Sequence, residues 1–138
     1  MTTVGTLAKT DNRAFRLIKR VTPGPYTFLL RASRQVPRYI QHPKKKTIGI
    51  RIPAHGTLLA LLDLVAQPIL STSLILPHND TPETDPEEIC TRLGQEVDLV
   101  IDAGPCGTEL TTVIDLTSDT VEIVRQGHRG LPEPVMDL

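Results

Sequence analysis

The sequence contains few aromatic residues and few cysteines. Only 3% of its 138 residues are aromatic and none is tryptophan, so Leu, Ile and Val have to form the core. The two cysteines, Cys90 and Cys106, form no CxxC pair, and the four histidines show neither HExxH nor any other metal-ligand spacing. We therefore predict no metal site built from the protein's own side chains.

Long hydrophobic runs are also lacking. No uninterrupted apolar run approaches the ~18 residues of a membrane-spanning helix, and the first residues lack the apolar region of a secretion signal. The sequence therefore predicts a cytoplasmic protein with reduced thiols and no membrane partner. A composition of 39% hydrophobic and 22% charged residues excludes a mostly disordered chain. We predict one domain over residues 1–130 and a flexible tail over 131–138.

Charge is distributed unevenly along the chain, although the net charge is only -1. Residues 1–51 hold twelve Lys or Arg and one acid, whereas residues 52–138 hold three Arg and fifteen acids. This asymmetry indicates either a basic surface that attracts phosphates or two halves that neutralise each other in the fold. The run Lys44, Lys45 and Lys46 is by itself typical of a solvated turn.

Hydrophobic periodicity and turn residues predict about six strands and three or four helices. The first helix is basic, starts at an Asp or Asn cap and ends before the turn TPGP. A mixture of this kind is typical of an α/β or α+β fold with a twisted mixed β-sheet and helices. We expect strands at 26–32, 47–52, 69–76, 98–103, 111–116 and 120–126, and helices at 11–20, from 33 to about 40, at 56–66 and at 86–93.

The common nucleotide-binding and hydrolase fingerprints GxGxxG, GxxxxGK[ST] and GxSxG are absent. Six segments carry a different pattern, in the order IKRVTPGPYTFLLRAS, KKKTIGIRIP, PILSTSLILP, DPEEI, VDLVID and TTVIDLTSDTVEIVRQG. Together they resemble the threonylcarbamoyl-AMP synthase domains of the YrdC/YciO family, and more closely its YciO branch. The resemblance runs from about Arg13 to Gly127.

The resemblance implies a twisted sheet with a concave, positively charged cavity that binds ATP with magnesium, L-threonine and bicarbonate. Family enzymes form threonylcarbamoyl-AMP and pyrophosphate, and the threonylcarbamoyl group later reaches adenosine in tRNA. By position, Arg51 matches an arginine that holds carboxylate or phosphate, and Thr72 with Ser73 matches the start of a phosphate-binding S-A-N motif. Thr112 matches the family's S-T-V-[VI]-D strand, and Arg125 matches an arginine placed to reach phosphate.

Two departures from the family pattern lower the expected activity. Leu74 and Ile75 stand where the S-A-N motif has alanine and asparagine, and nothing here matches the Lys-x-Arg element of the family's N-terminal portion. We therefore predict that this chain releases little or no pyrophosphate by itself. The missing portion also predicts exposed apolar edges, hence self-association or a second chain that supplies the rest.

Two alternatives to the synthase remain. The basic first third fits a non-catalytic module that binds tRNA or double-stranded RNA through phosphate and shape contacts, with Lys44, Lys45 and Lys46 as candidates. The other alternative is a degenerate family fragment without a ligand. Pro23, Gly24, Pro25 and Thr27 match the family's P-G-P-x-T turn, which is more typical of a structural role than of ligand contact.

Overall fold

The computed structural model describes residues 2–132. The chain divides into two units, the first comprising Met1–Pro68 and Leu110–Leu138 and the second comprising Ile69–Glu109. The described helices are α1 (Thr2–Leu7), α2 (Asn12–Val21), α3 (Gly56–Val65) and α4 (Pro86–Leu93), and the described strands are β1 (Ala8–Lys9), β2 (Tyr26–Ala32), β3 (Thr47–Arg51), β4 (Thr112–Asp115) and β5 (Glu122–Arg125).

All five strands form one mixed sheet in the first unit. Strand β2 lies in its centre, antiparallel to β3 on one side and parallel to β4 on the other. Strand β5 pairs antiparallel with β4, and the two residues of β1 pair with the end of β2. The predicted α+β fold with a mixed sheet is therefore confirmed.

One face of the sheet packs on α2 and forms the core. Alternate residues of β2, including Phe28 and Leu30, are fully buried together with Leu17 and Ile18 of α2. Helix α2 begins where predicted because the Asp11 carboxylate accepts a hydrogen bond from the Ala14 N–H at 2.7 Å. The other face of β2 is less buried, and we call it the open face.

Helix α3 has the predicted position and an unexpected environment. Seven of its ten residues are aliphatic, yet none of them is buried, and Leu64 is 85% exposed. A helix that is apolar on all sides is ordinarily covered by other protein. Helix α3 therefore presents an unpaired apolar surface in the first unit.

The second unit contains α4, and the rest of it consists of turns, bends and backbone without regular secondary structure. The α4 prediction is confirmed, because the Asp85 carboxylate caps the N–H groups of Glu87 and Glu88. The predicted strands at 69–76 and 98–103 are wrong. Both segments are apolar enough for strands, but a strand requires a hydrogen-bonded neighbour, and neither segment pairs with another strand among the described residues.

The predicted helix after Ser33 is also wrong, since residues 33–41 form turns. The Ser33 hydroxyl donates to the Thr6 carbonyl at 2.6 Å and its N–H donates to the Leu7 carbonyl at 2.8 Å. These contacts with the N-terminal segment hold Ser33 in a turn. The sequence did not indicate α1 and β1, which make this contact possible.

The predicted tail lies outside the described residues from residue 133 onward. Within the described part, Leu131 packs partly against the core, and the Gly130 carbonyl accepts a hydrogen bond from the Tyr26 hydroxyl at 2.9 Å. The domain boundaries stay a prediction. None of the helices in residues 2–132 has the length and apolarity needed to cross a membrane, and the cytoplasmic location stays a prediction.

Candidate functional site

Two arginines lie at the ends of one row of residues across the sheet. Thr27 of β2 pairs with Arg51 of β3 and with Val113 of β4, and Val113 pairs with Arg125 of β5. Residues directly opposite one another on neighbouring strands point to the same face. This set, which we call the cross-strand row, therefore lies on the open face. Three strand spacings put Arg51 and Arg125 about 14 Å apart at the backbone.

Two threonine hydroxyls lie beside Arg125 at its end of the cross-strand row. The Thr27 and Thr111 hydroxyls lie 2.8 Å apart and share a hydrogen bond. The Arg125 guanidinium donates to the Thr111 carbonyl at 3.0 Å and approaches the Thr111 hydroxyl at 3.4 Å. Arg125 is thereby held against the sheet beside two hydroxyl groups.

Arg51 differs from Arg125 in having no such restraint. Its side chain is exposed, and among the described residues its guanidinium has neither a hydrogen bond nor an ion pair. No acidic residue belongs to the row, and the nearest acid along β4, Asp115, accepts a hydrogen bond from the Thr117 N–H at 2.8 Å. The row therefore offers two guanidinium groups, which form planar paired contacts with phosphate or carboxylate.

Thr112 has its hydroxyl inside the fold. The residue is fully buried, and its hydroxyl donates to the Arg129 carbonyl at 2.5 Å and accepts from the Gly127 N–H at 3.0 Å. These bonds hold the segment after β5 against β4. The proposed ligand role of Thr112 stays a prediction. The hydroxyls on the open face are those of Thr27, for which the turn motif favours a structural role, and Thr111, which the sequence analysis does not select.

The alternation of side chains along a strand is the sequence signal that can distinguish threonines on the open face from buried ones. Side chains alternate between the two faces along a strand, so Thr27 belongs to the face opposite the aromatic Tyr26 and Phe28. In β4 the signal is weak, because Thr111 and Thr112 are adjacent and chemically identical.

Thr72 and Ser73 lie in the second unit, in backbone without regular secondary structure, and both are exposed. The Ser73 carbonyl accepts from the Ile75 N–H at 3.1 Å and is approached by the Thr72 hydroxyl at 3.5 Å. The structure brings Arg51 and Arg125 into one row, whereas the phosphate-binding role of Thr72 and Ser73 stays a prediction.

The turn before β2 supports the strands that carry the row. The Gly24 N–H donates to the Ile52 carbonyl at 2.9 Å, and the Pro25 carbonyl accepts from the Thr112 N–H at 3.0 Å. A Cβ atom at Gly24 would lie 2.5 Å from the Val21 carbonyl oxygen. This close approach requires glycine and agrees with the structural role favoured for the turn.

The lysine run lies away from the row. Lys44, Lys45 and Lys46 are exposed in the turn that precedes β3, whereas Arg51 ends this strand. Five residues of strand separate the two by roughly 16 Å. The lysine run is therefore separate from the cross-strand row.

The architecture of the first unit is that of an α+β domain with a mixed sheet and a cationic row on its open face. The sequence model of the Sua5/YciO/YrdC family, described as telomere recombination, matches residues 1–127. The chain belongs to this family, as the motifs predicted.

Relatives place the chain near YciO. It is 50% identical over 124 residues to the uncharacterized protein YciO of Escherichia coli strain K12, a match that covers 90% of this chain and 60% of YciO. It is 36% identical over 118 residues to the threonylcarbamoyl-AMP synthase of Pyrococcus abyssi, covering 84% of this chain and 33% of the synthase. The chain thus spans less than two thirds of the length of these relatives.

Solved structures give the same assignment. The crystal structure of E. coli YciO superposes with a TM-score of 0.88 at 46% identity, covering 98% of this chain and 65% of that one. The crystal structure of P. abyssi Sua5 complexed with L-threonine superposes with a TM-score of 0.81 at 31% identity, covering 92% of this chain and 37% of that one.

Proposed function

We propose that this chain is a threonylcarbamoyl-AMP synthase-like protein that binds the triphosphate of ATP at the cross-strand row. The observation that carries the proposal is the placement of Arg51 and Arg125 on one face of the sheet, in register with each other through Thr27 and Val113. Relatives named threonylcarbamoyl-AMP synthase and the L-threonine complex of P. abyssi Sua5 support the substrate class.

The residues of the row fit a polyphosphate. Arg51 has a free guanidinium for phosphate or carboxylate, and Arg125 is held beside the hydroxyls of Thr27 and Thr111. Guanidinium groups and hydroxyls both donate hydrogen bonds to phosphate oxygens, and the row contains no carboxylate that would repel them. Magnesium would arrive with the nucleotide as part of the substrate.

The proposed reaction joins L-threonine, bicarbonate and ATP and yields threonylcarbamoyl-AMP, pyrophosphate and water. The row would neutralise charge on the triphosphate as pyrophosphate leaves. Leu74 and Ile75, which replace the alanine and asparagine of the family motif, cannot donate side-chain hydrogen bonds to nucleotide. We therefore expect the proposed activity to be weak in this chain. Modification of tRNA depends on a later transfer of the threonylcarbamoyl group.

A second candidate function is nucleic-acid binding, and the charge of the two units favours it. The first unit holds 14 Lys or Arg against 7 Asp or Glu, a net charge of +7. The second unit holds one Arg against nine acids, a net charge of -8. A net positive unit attracts the phosphates of tRNA or double-stranded RNA over distances comparable with the Debye length.

Calorimetric titration with ATP and magnesium, with and without L-threonine, tests the first proposal. We expect heat from ATP and none from adenosine, because the row recognises phosphate. Tighter ATP binding in the presence of L-threonine and bicarbonate is expected from a shared site. A folded sample that gives no heat at millimolar ATP would contradict nucleotide binding, and equal binding of adenosine would contradict recognition through the triphosphate.

A further inference from the structure

Thr27 lies at the centre of the cross-strand row, where contacts on two sides hold its side chain in place. Strand β2 pairs with β3 on one side of Thr27 and with β4 on the other. The Thr27 methyl group lies toward β3, since a Cβ atom built on Gly49 would be only 3.4 Å from it. The hydroxyl lies toward β4, 2.8 Å from the Thr111 hydroxyl. Because χ1 of a β-branched residue is restricted, the Thr27 hydroxyl is oriented before any ligand binds.

The hydrogen bonds beside Thr27 run in one direction, from Arg125 toward Thr27. A guanidinium group has donors and no acceptor, so the Thr111 hydroxyl oxygen, 3.4 Å from Arg125 Nη2, is the acceptor of this contact. The other hydrogen bond of the Thr111 hydroxyl is the one it shares with Thr27. Hydrogen bonds that follow one another in the same direction polarise and strengthen each other, which favours Thr111 as the donor and Thr27 as the acceptor.

One hydroxyl proton of this threonine pair has no acceptor within residues 2–132. Each hydroxyl carries one proton, and the bond between the two hydroxyls uses one of them. With Thr111 as the donor, the remaining proton is that of Thr27. It belongs to the open face, because Thr27 is in register with Arg51 on one side and, through Val113, with Arg125 on the other. Thr27 therefore offers a hydrogen-bond donor in the middle of the row.

The groups on both sides of this donor select an oxyanion as its partner. The guanidinium groups of Arg51 and Arg125 carry donors only, and the row contains no carboxylate. An ammonium group or another cation over Thr27 would be repelled by both arginines. A phosphate or carboxylate oxygen accepts hydrogen bonds from the hydroxyl and from the guanidinium groups alike.

We propose that Thr27 contacts the bound substrate by donating its hydroxyl proton to an oxyanion, and that Thr111 is a positioning residue that orients this hydroxyl. The proposal rests on the proposed function, which places substrate at the cross-strand row, and it adds a contact at the centre of the row. The oxyanion is a phosphate of ATP or the carboxylate of L-threonine, which share this acceptor chemistry. A purely structural Thr27, as the turn motif favours, would affect stability and leave affinity unchanged.

Calorimetric titration of Thr27→Val and Thr27→Ser separates hydroxyl contact from packing. Valine keeps the shape of threonine without the hydroxyl, whereas serine keeps the hydroxyl without the methyl group. We expect Thr27→Val to raise Kd for ATP with magnesium or for L-threonine by about 10-fold or to beyond detection, because a hydrogen bond to a charged group is lost. Thr27→Ser should stay within about 3-fold of the unmodified protein. The ligand that is weakened identifies the oxyanion over Thr27.

The matched control is Thr57→Val, the same chemical change at an exposed position of α3, which should alter neither Kd. Binding as weak in Thr27→Ser as in Thr27→Val would assign the loss to packing and overturn the contact. Unchanged Kd for both ligands in Thr27→Val, with binding by the unmodified protein, would overturn this inference and leave the proposed function standing. An unmodified protein that binds neither ligand would overturn both.

Thr111→Val tests the positioning role of Thr111. It removes the hydroxyl and leaves the backbone carbonyl that accepts from Arg125. We expect a smaller loss of affinity for the same ligand, about 3-fold, because Thr27 can still donate but is less well oriented. The double variant Thr27→Val, Thr111→Val should bind about as weakly as Thr27→Val alone, since both changes act on one chain of hydrogen bonds. Additive losses would contradict the positioning role.

Discussion

Arg51 and Arg125 occupy matching positions in the cross-strand row but differ in what holds them. Arg125 already donates hydrogen bonds to Thr111. A contact between Arg125 and a ligand therefore adds binding free energy only where it is stronger than these bonds. Arg51 has no partner among the described residues and is free to make paired contacts with phosphate. Arg51 is therefore the residue of the row whose loss should matter most.

Replacing Arg51 with alanine should reduce ATP affinity by at least ~10-fold, because a hydrogen bond to a charged group contributes roughly 1.5–3 kcal/mol. At the low affinity expected of this chain, binding would become undetectable. Calorimetry under the conditions used for the unmodified protein measures the change, and Arg20→Ala on the exposed side of α2 is the matched control. Unchanged ATP binding in Arg51→Ala would remove the row as the nucleotide site.

Gly127 is a second residue with a specific steric role. A Cβ atom there would lie 2.3 Å from the Leu110 carbonyl oxygen and 2.5 Å from the Thr112 nitrogen, both of them backbone atoms. Gly127→Ala should therefore lower the free energy of unfolding by about 1–3 kcal/mol. Thermal unfolding followed by circular dichroism measures this, with Gly56→Ala as control, since a Cβ at Gly56 meets nothing within 4 Å. Equal melting of the two variants would contradict the prediction.

The sequence predicts single residues well when their role is local. The cap predicted for the first helix is Asp11, and it could be predicted because a capping residue acts on N–H groups two or three positions away. The accessible hydroxyl at the start of β4 was not found, because it depends on which face of β4 meets α2. Thr111 and Thr112 are neighbours of the same type, so only the packed structure distinguishes them.

At the scale of elements, the correct and the wrong strand predictions differ in whether the segment pairs with another strand. The segments that became β2, β3 and β4 were predicted from their apolar and β-branched residues, and so were 69–76 and 98–103. All five segments favour extended backbone, yet a strand also requires a neighbour that is distant in sequence. The composition of a segment shows whether it favours extended backbone. It does not show whether another strand will lie beside it.

Helix α3 gives the surface for the predicted self-association. Its exposed Leu64 and Val65 favour association of two copies, since burying apolar surface contributes about 25 cal/mol per Å². We expect a concentration-dependent dimer in light scattering coupled to size exclusion, and we expect Leu64→Glu to shift it toward monomer. Thr57→Glu places the same charge on an exposed, polar position of α3 and should have little effect. A monomer at all concentrations would contradict association through α3.

At the scale of the whole molecule, the proposed triphosphate site has cationic groups on one side only. Arg51 and Arg125 come from one sheet, and nothing in the sequence matches the family's Lys-x-Arg element. Stabilisation of a transferring phosphoryl group requires charges already placed around it, and one missing donor costs about 10²–10³ in rate.

We therefore expect this 138-residue chain to release pyrophosphate from ATP, L-threonine and bicarbonate at least ~100-fold more slowly than the P. abyssi synthase. An enzyme-coupled pyrophosphate assay with both proteins at equal concentration measures the ratio. Measuring E. coli YciO, which is longer than this chain, in a separate reaction of the same assay compares this chain with the YciO branch. Comparable rates for this chain and the synthase would show that the unmatched element is dispensable.

The central position of β2 has a consequence for hydrogen exchange. Its amides lie in ladders with β3 and β4, and alternate side chains from it are buried, so they become accessible only when the first unit opens as a whole. Amides of the second unit, where α4 has no buried residue, open locally and should exchange with deuterium much sooner. Exchange followed by mass spectrometry should therefore show peptides from residues 26–32 labelled last and peptides from 69–109 labelled early. Equal protection of the two would show that the chain opens as one cooperative unit.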